Sequence, residues 1–184
     1  QNLPIENYTD PNHPLQHHIL KHIQQAAGLT TPPTTAIDGC GAPTYFLPLH
    51  NMATMFAQLS NHSLYPTLYS PLRDCIVTNS KALGGNGRID TEIIASSNGS
   101  LIAKVGAEGV MAISHLTLGY GMVLKILDGN ETIRNIVTAK LLEQLGWLSH
   151  SKNISNGLKP FQQLNRYNFQ ETQVGQLKFE ILIR

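Results

Sequence analysis

The chain lacks three features that would settle its class at once. It has no block of like charge, since thirteen Lys and Arg residues stand against twelve Asp and Glu and the basic ones are scattered. That balance gives no reason to expect nucleic acid or an anionic membrane surface as a partner. It has no apolar run near the roughly 20 residues that span a bilayer, and its start lacks a secretory signal's charged and apolar regions, so the expected compartment is the cytoplasm. It is also poor in cysteine: Cys40 sits in a glycine-flanked loop, Cys75 in a helix-like run, and no Cys-x-x-Cys occurs. These contexts predict two thiols, with Cys75 a small buried hydrophobe. An initiator methionine is absent before Gln1, which raises the expectation of a fragment whose N-terminal part is missing.

What is there suffices for a folded core. The 184 residues are 41% hydrophobic and 14% charged, and residues 1–184 are expected to form one domain. "NHPLQHHILKHIQQAAG" opens with Asn12 or His13 as cap and Pro14 in the first turn, and ends at Gly28, which predicts an amphipathic helix. Three prolines and two glycines then make residues 29–44 a loop, with a short strand near Ala36 to Asp38. Helices are predicted about Leu47 to Leu59 and around Pro66 to Lys81. "GGNGRIDTEIIASSNG" reads as a glycine turn and a segment of ambiguous type. From Ser100, "LIAKVGA", "GVMAISHL" and "YGMVLKILDG" have the β-branched, turn-separated pattern of antiparallel strands. "DGNETIRNIVTAKLLEQLGW" gives the best helix, with Ile133, Ile136, Val137, Leu141 and Leu145 along its face and Gly146 at its end. "GQLKFEILIR" is read as a closing strand. Helices, an antiparallel run, a helix and a last strand make an α+β chain.

Chemistry-bearing residues are few. Lys104 interrupts the apolar strand "LIAKVGA" and is expected to be buried there, although a strand lysine commonly snorkels to an edge. Gly106 and Gly109 remove side chains where something must approach the backbone. Lys104-Val105-Gly106 also has the form of the Lys-Ser/Thr-Gly strand motif of β-lactamase-like serine enzymes, with Val105 in place of the hydroxyl residue. A desolvated lysine in that position can anchor a substrate carboxylate or move a proton. Cys40, two residues after Asp38 and between two glycines, has the shape of a ligand or reactive thiol, but zinc needs about four ligands and its companions are not evident. Arg88, after the glycines, could hold a carboxylate bidentately. His13, His17, His18 and His22 include i, i+4 pairs but read as a solvated helix surface. The one Ser-x-x-Lys, Ser149 to Lys152, lies in a polar loop and reads as a decoy.

Taken in order, "YTDPNHPLQ", "IDGCGAPTYFLPLHNMATMFAQL", "GGNGRIDTEIIAS", "KVGAEGV" and "GYGMVLKILDG" resemble the L-asparaginase II family, the serine-type, zinc-binding asparaginases with a β-lactamase-like fold. The resemblance runs from about Tyr8 to Trp147 and is thin in the tail. It implies an amidohydrolase that converts L-asparagine to L-aspartate and ammonia through an acyl-serine intermediate. The family's Ser-x-x-Lys nucleophile and its Asn-Cys-Ser-Gly-Lys-His segment are not in this sequence, so the chain is expected to be the C-terminal part of such a domain. Carried over residue by residue, the resemblance implies catalytic roles for Lys104 and Asp38 and makes Cys40 a zinc ligand whose fellow ligands lie outside this chain; the residues themselves add Arg88 and Gly106 as expected substrate contacts. Some relatives have a second cysteine where this chain has Asp90, and that role is not carried over. The implied partner is a small-molecule substrate, with neither nucleic acid nor membrane, and a homodimer is left open. A related glutaminase and a truncated non-catalytic binding module are the alternatives.

Overall fold

The structure is a computed structural model that describes residues 3–60, 63, 65–148 and 157–182. Among the described residues the protein is mixed α/β, with six helices and small antiparallel sheets. In chain order these are α1 (Pro14–Ala26), β1 (Thr35–Ile37), β2 (Pro43–Tyr45), α2 (Leu49–Ala57), α3 (Pro66–Thr78), α4 (Ser80–Gly84), α5 (Ile89–Ser96), β3 (Leu101–Gly106), β4 (Val110–His115), β5 (Tyr120–Lys125), α6 (Glu131–Gln144), β6 (Asn165–Tyr167) and β7 (Gln173–Gln176), with a 3-10 turn at Lys159–Gln162. β1 pairs with β2, β6 with β7, and β3, β4 and β5 follow one another in a single sheet. The chain forms two compact units, Gln1–Ser70 with Ala112–Val123 and Pro71–Met111 with Leu124–Arg184.

In the first unit, α1 begins where the sequence said it would: His13 is the cap, its Nδ1 accepts from Leu15 N at 3.1 Å, and Pro14 occupies the first turn. It ends with Leu29 N bonded to Gln24 O and Gly28 N to Gln25 O, Gly28 taking a φ of +65°. That doubly bonded stop is one only a residue tolerant of left-handed backbone completes cheaply. Asn51 of α2 donates to Ala27 O at 2.8 Å and ties the second helix to the end of the first. α2 also backs so closely onto β5 that a side chain at Gly121 would overlap the Ala53 carbonyl.

The second unit is built around α5, which packs on α4 and on β3. Ile89, Ile93 and Ile94 of α5 and Leu101, Ile102 and Ala103 of β3 are buried, and each large aliphatic side chain so placed contributes about 1.5–3 kcal/mol. α6 starts on the Asn130 cap, whose Oδ1 accepts from Ile133 N at 2.9 Å, and stops with the same two-bond pattern at Gly146 as α1 does at Gly28.

Several expectations need correction. The ambiguous segment after the glycines is α5, and the third predicted helix is divided into α3 and α4. Cys75 is exposed, because Ile76 and Val77 take the half-buried face of α3. β2, which pairs with the expected short strand, was not anticipated. The closing strand is Gln173–Gln176, while residues 177–182 have no strand partner. Phe179 and Ile181 there line one open cavity together with Lys140, Glu143 and Gln144 of α6. The Ser149 to Lys152 motif falls outside the described residues.

Candidate active site

In the first unit the turn between β1 and β2 is folded by Asp38. Its Oδ1 accepts from Cys40 N at 2.9 Å and from Ala42 N at 3.1 Å, while Asp38 N donates to Ala42 O and Gly41 N to Asp38 O. An aspartate that bonds the backbone just ahead of it is a turn former. The spacing that made Asp38 and Cys40 a chemical pair is therefore first a structural one. Both residues are exposed, and Cys40 is a free thiol.

Zinc asks for about four ligands. Among the described residues no group of three His, Cys, Asp or Glu side chains could hold a metal ion. Cys40 supplies one thiol and Asp38 has already committed one oxygen to its turn. The residues present thus do not make a zinc site by themselves. The helical histidines do not make one either: His13 caps α1 and the His22 Nε2 lies 2.6 Å from the Tyr69 hydroxyl.

In the second unit, Lys104 meets a partner the sequence did not disclose. Asp90, in the first turn of α5, has a fully buried side chain, and its Oδ2 lies 3.6 Å from the Lys104 ammonium. The same Oδ2 accepts from Val105 N at 3.2 Å and Oδ1 accepts from Thr91 N at 3.1 Å. A buried carboxylate is tolerated when it is hydrogen-bonded and paired, and the start of a helix adds a favourable dipole. Room for it comes from Gly84, where an added Cβ would sit 2.7 Å from Asp90 Oδ1 and closer still to Thr91 Oγ1. Thr91 Oγ1 in turn donates to Gly85 O at 2.7 Å and fixes the glycine loop.

Lys104 itself is not buried as expected. Its side chain is 42% exposed, and Nζ donates to Val105 O at 3.0 Å. The buried member of the pair is Asp90. The glycines after it also have internal reasons: a Cβ at Gly106 would meet Val110 Cβ at 3.1 Å, and Gly109, with a φ of +72°, would meet Ile126 and Gly129 at 3.0–3.1 Å. Glu108 and Gly109 both have positive φ and are the two central residues of the turn from Ala107 to Val110 that joins β3 to β4. Ile126 N donates to Gly109 O, and the Lys125 ammonium donates to Glu108 O, so the following loop clasps that turn.

The other sequence-derived residues fall near this junction in the chain. Arg88 is the exposed cap residue of α5, two positions before Asp90, and its side chain makes no capping bond. Gly106 O accepts from Arg134 Nη1 at 3.1 Å. Arg134, 2% exposed, also donates to Asn135 Oδ1, and was missed by the sequence reading. Its signal was there: Thr138 and Leu142 follow it at four-residue spacing and are buried too. The second unit therefore brings Asp90, Lys104, Gly106 and Arg134 together, and the first brings Asp38 and Cys40 together.

Three serines near α5 are held by backbone carbonyls: Ser96 Oγ donates to Glu92 O, Ser97 Oγ to Ile94 O and Ser100 Oγ to Ser97 O. No helix among the described residues is long and apolar enough to cross a membrane.

Set beside known proteins, the chain has no match among curated sequences. The L-asparaginase II family profile, by contrast, matches residues 1–179, reaching beyond the motifs into the tail. With a match over nearly its whole length, the chain belongs to the L-asparaginase II family and is of the asparaginase type.

Proposed function

We propose that this chain forms part of an enzyme that hydrolyses L-asparagine to L-aspartate and ammonia through an acyl-serine intermediate, the serine being supplied by sequence outside these 184 residues. The observation that carries the proposal is the family match over residues 1–179. Lys104 supports it, because its ammonium is half-exposed and fixed by two partners, the Asp90 carboxylate and Val105 O. In this reading the ammonium meets the α-carboxylate of the substrate or passes a proton to the departing amine, Arg88 adds a bidentate donor for a carboxylate, and Gly106 keeps the strand surface open. The catalytic role that the resemblance implies for Asp38 rests on the family match alone. A β-lactamase-like arrangement of the complete domain belongs to the same proposal.

Nucleophilic attack by the serine hydroxyl on the side-chain amide carbon forms the ester and expels ammonia once the nitrogen is protonated. Water then cleaves the ester to aspartate and regenerates the hydroxyl. Zinc enters none of these steps; Cys40 would be one of its ligands only if others came from beyond this sequence. A reducing compartment suits the two free, exposed thiols.

The test is ammonia release from asparagine and from glutamine by the protein of the complete reading frame, with intact mass recorded after a rapid acid quench. Release from asparagine together with a transient acyl adduct on a serine peptide is the expected result. Release from glutamine alone would replace the substrate, and no release from either amide would overturn the proposal.

A further inference from the structure

We propose that Asp90 is a positioning residue for Lys104, holding its ammonium where the substrate must meet it; the inference rests on the reading of Lys104 given above. Asp90 has no exposed surface and so has no direct access to a ligand. Its two oxygens are fixed by N–H groups from two different elements, Thr91 N of α5 and Val105 N of β3. The carboxylate therefore cannot swing without breaking a bond to one of them.

Lys104 has a long, flexible side chain that would otherwise sample many rotamers. Val105 O at 3.0 Å takes one of its three N–H donors, and the Asp90 carboxylate, with Oδ2 at 3.6 Å, attracts the ammonium as an ion pair. The other two donors have no hydrogen-bond acceptor among the described residues. A half-exposed ammonium held by one hydrogen bond and one ion pair, with two donors still open, is ready to bind an anionic or carbonyl oxygen without first being ordered, which is the arrangement that preorganised sites use. Gly84 and the Thr91 bond to Gly85 O keep the loop off the carboxylate, so the glycine turn, Asp90 and Lys104 work as a unit.

A carboxylate that only stabilised the fold would act on activity irrespective of Lys104. The experiment is accordingly a double-mutant cycle on ammonia release by the protein of the complete reading frame, with Asp90→Asn, Lys104→Gln and the double variant, each checked for fold by circular dichroism. Asp90→Asn should lower kcat by about tenfold or more in the native background, and by less than about twofold in the Lys104→Gln background. Equal losses in both backgrounds, or no loss in either, would overturn the inference.

A second measurement uses the side-chain ammonium signal of Lys104 by nitrogen-15 NMR. In the unaltered protein this signal should be protected from solvent exchange. It should broaden away in Gly84→Ala, whose methyl displaces the carboxylate without removing it. An unprotected Lys104 signal in the unaltered protein would refute the positioning role even if both variants failed to fold. Should the protein release no ammonia from asparagine, the functional reading fails, while the ammonium signal still decides whether Asp90 holds Lys104.

Discussion

Asp38 and Asp90 each accept two backbone N–H groups, yet they are used in opposite ways. Asp38 is exposed and reaches two and four residues along its own turn. Asp90 is buried and reaches Val105, fifteen positions away, as well as the Lys104 ammonium. The first carboxylate shapes a loop that its neighbours in sequence nearly define. The second joins a helix to a strand and exists as a structural element only once both are in place. Water can replace the bonds of Asp38 at little cost, whereas nothing replaces those of Asp90.

The largest contrast should come from removing each carboxylate. Asp90→Ala leaves two N–H groups and an ammonium without their acceptor and should cost about 3 kcal/mol in urea unfolding. Arg134→Ala is a further break in the second unit: it strips Gly106 O of its donor and empties a buried volume, for an expected loss of about 2–3 kcal/mol by the same measurement. Asp38→Ala should cost only about 1 kcal/mol, with the thiol of Cys40 still accessible to a maleimide reagent. A loss from Asp38→Ala as large as that from Asp90→Ala would erase the distinction between the two.

The smallest effect concerns acid. Burial holds the His115 imidazole below its ordinary range, against a weaker opposing hydrogen-bond contribution. Its Nδ1 accepts from Leu118 N at 3.3 Å, which requires that nitrogen to be unprotonated. Because the unfolded chain takes up this proton more readily, stability should be full above the usual histidine range near 6.5 and decline as pH falls below it. His115→Gln should flatten that part of the stability profile, and an unchanged profile would rule out this histidine as its source.

Local bonds were legible in the sequence. The α1 cap at Asn12 or His13 and the glycine stops at Gly28 and Gly146 each involve residues within a few positions of one another, so spacing reveals them. The family was legible for a similar reason, through short motifs in a fixed order. Long-range bonds were not. Lys104 looked like a buried charge in need of a substrate because Asp90 sits fourteen residues earlier, in a segment whose glycines masked α5. Arg134 passed unnoticed, since its acceptor, Gly106 O, lies on another element. Cys75 was placed on the wrong face of α3 because Ile76 and Val77 compete with it for burial.

Lys104 is the residue on which the proposed asparaginase activity depends, and the decisive measurement is ammonia release from asparagine by the protein of the complete reading frame, with and without Lys104→Ala. Lys104→Ala should lower kcat about 100-fold or more, the size of a missing proton-transfer or charge-binding group, with circular dichroism unchanged. A folded Lys104→Ala protein that turns over asparagine at the native rate would contradict it.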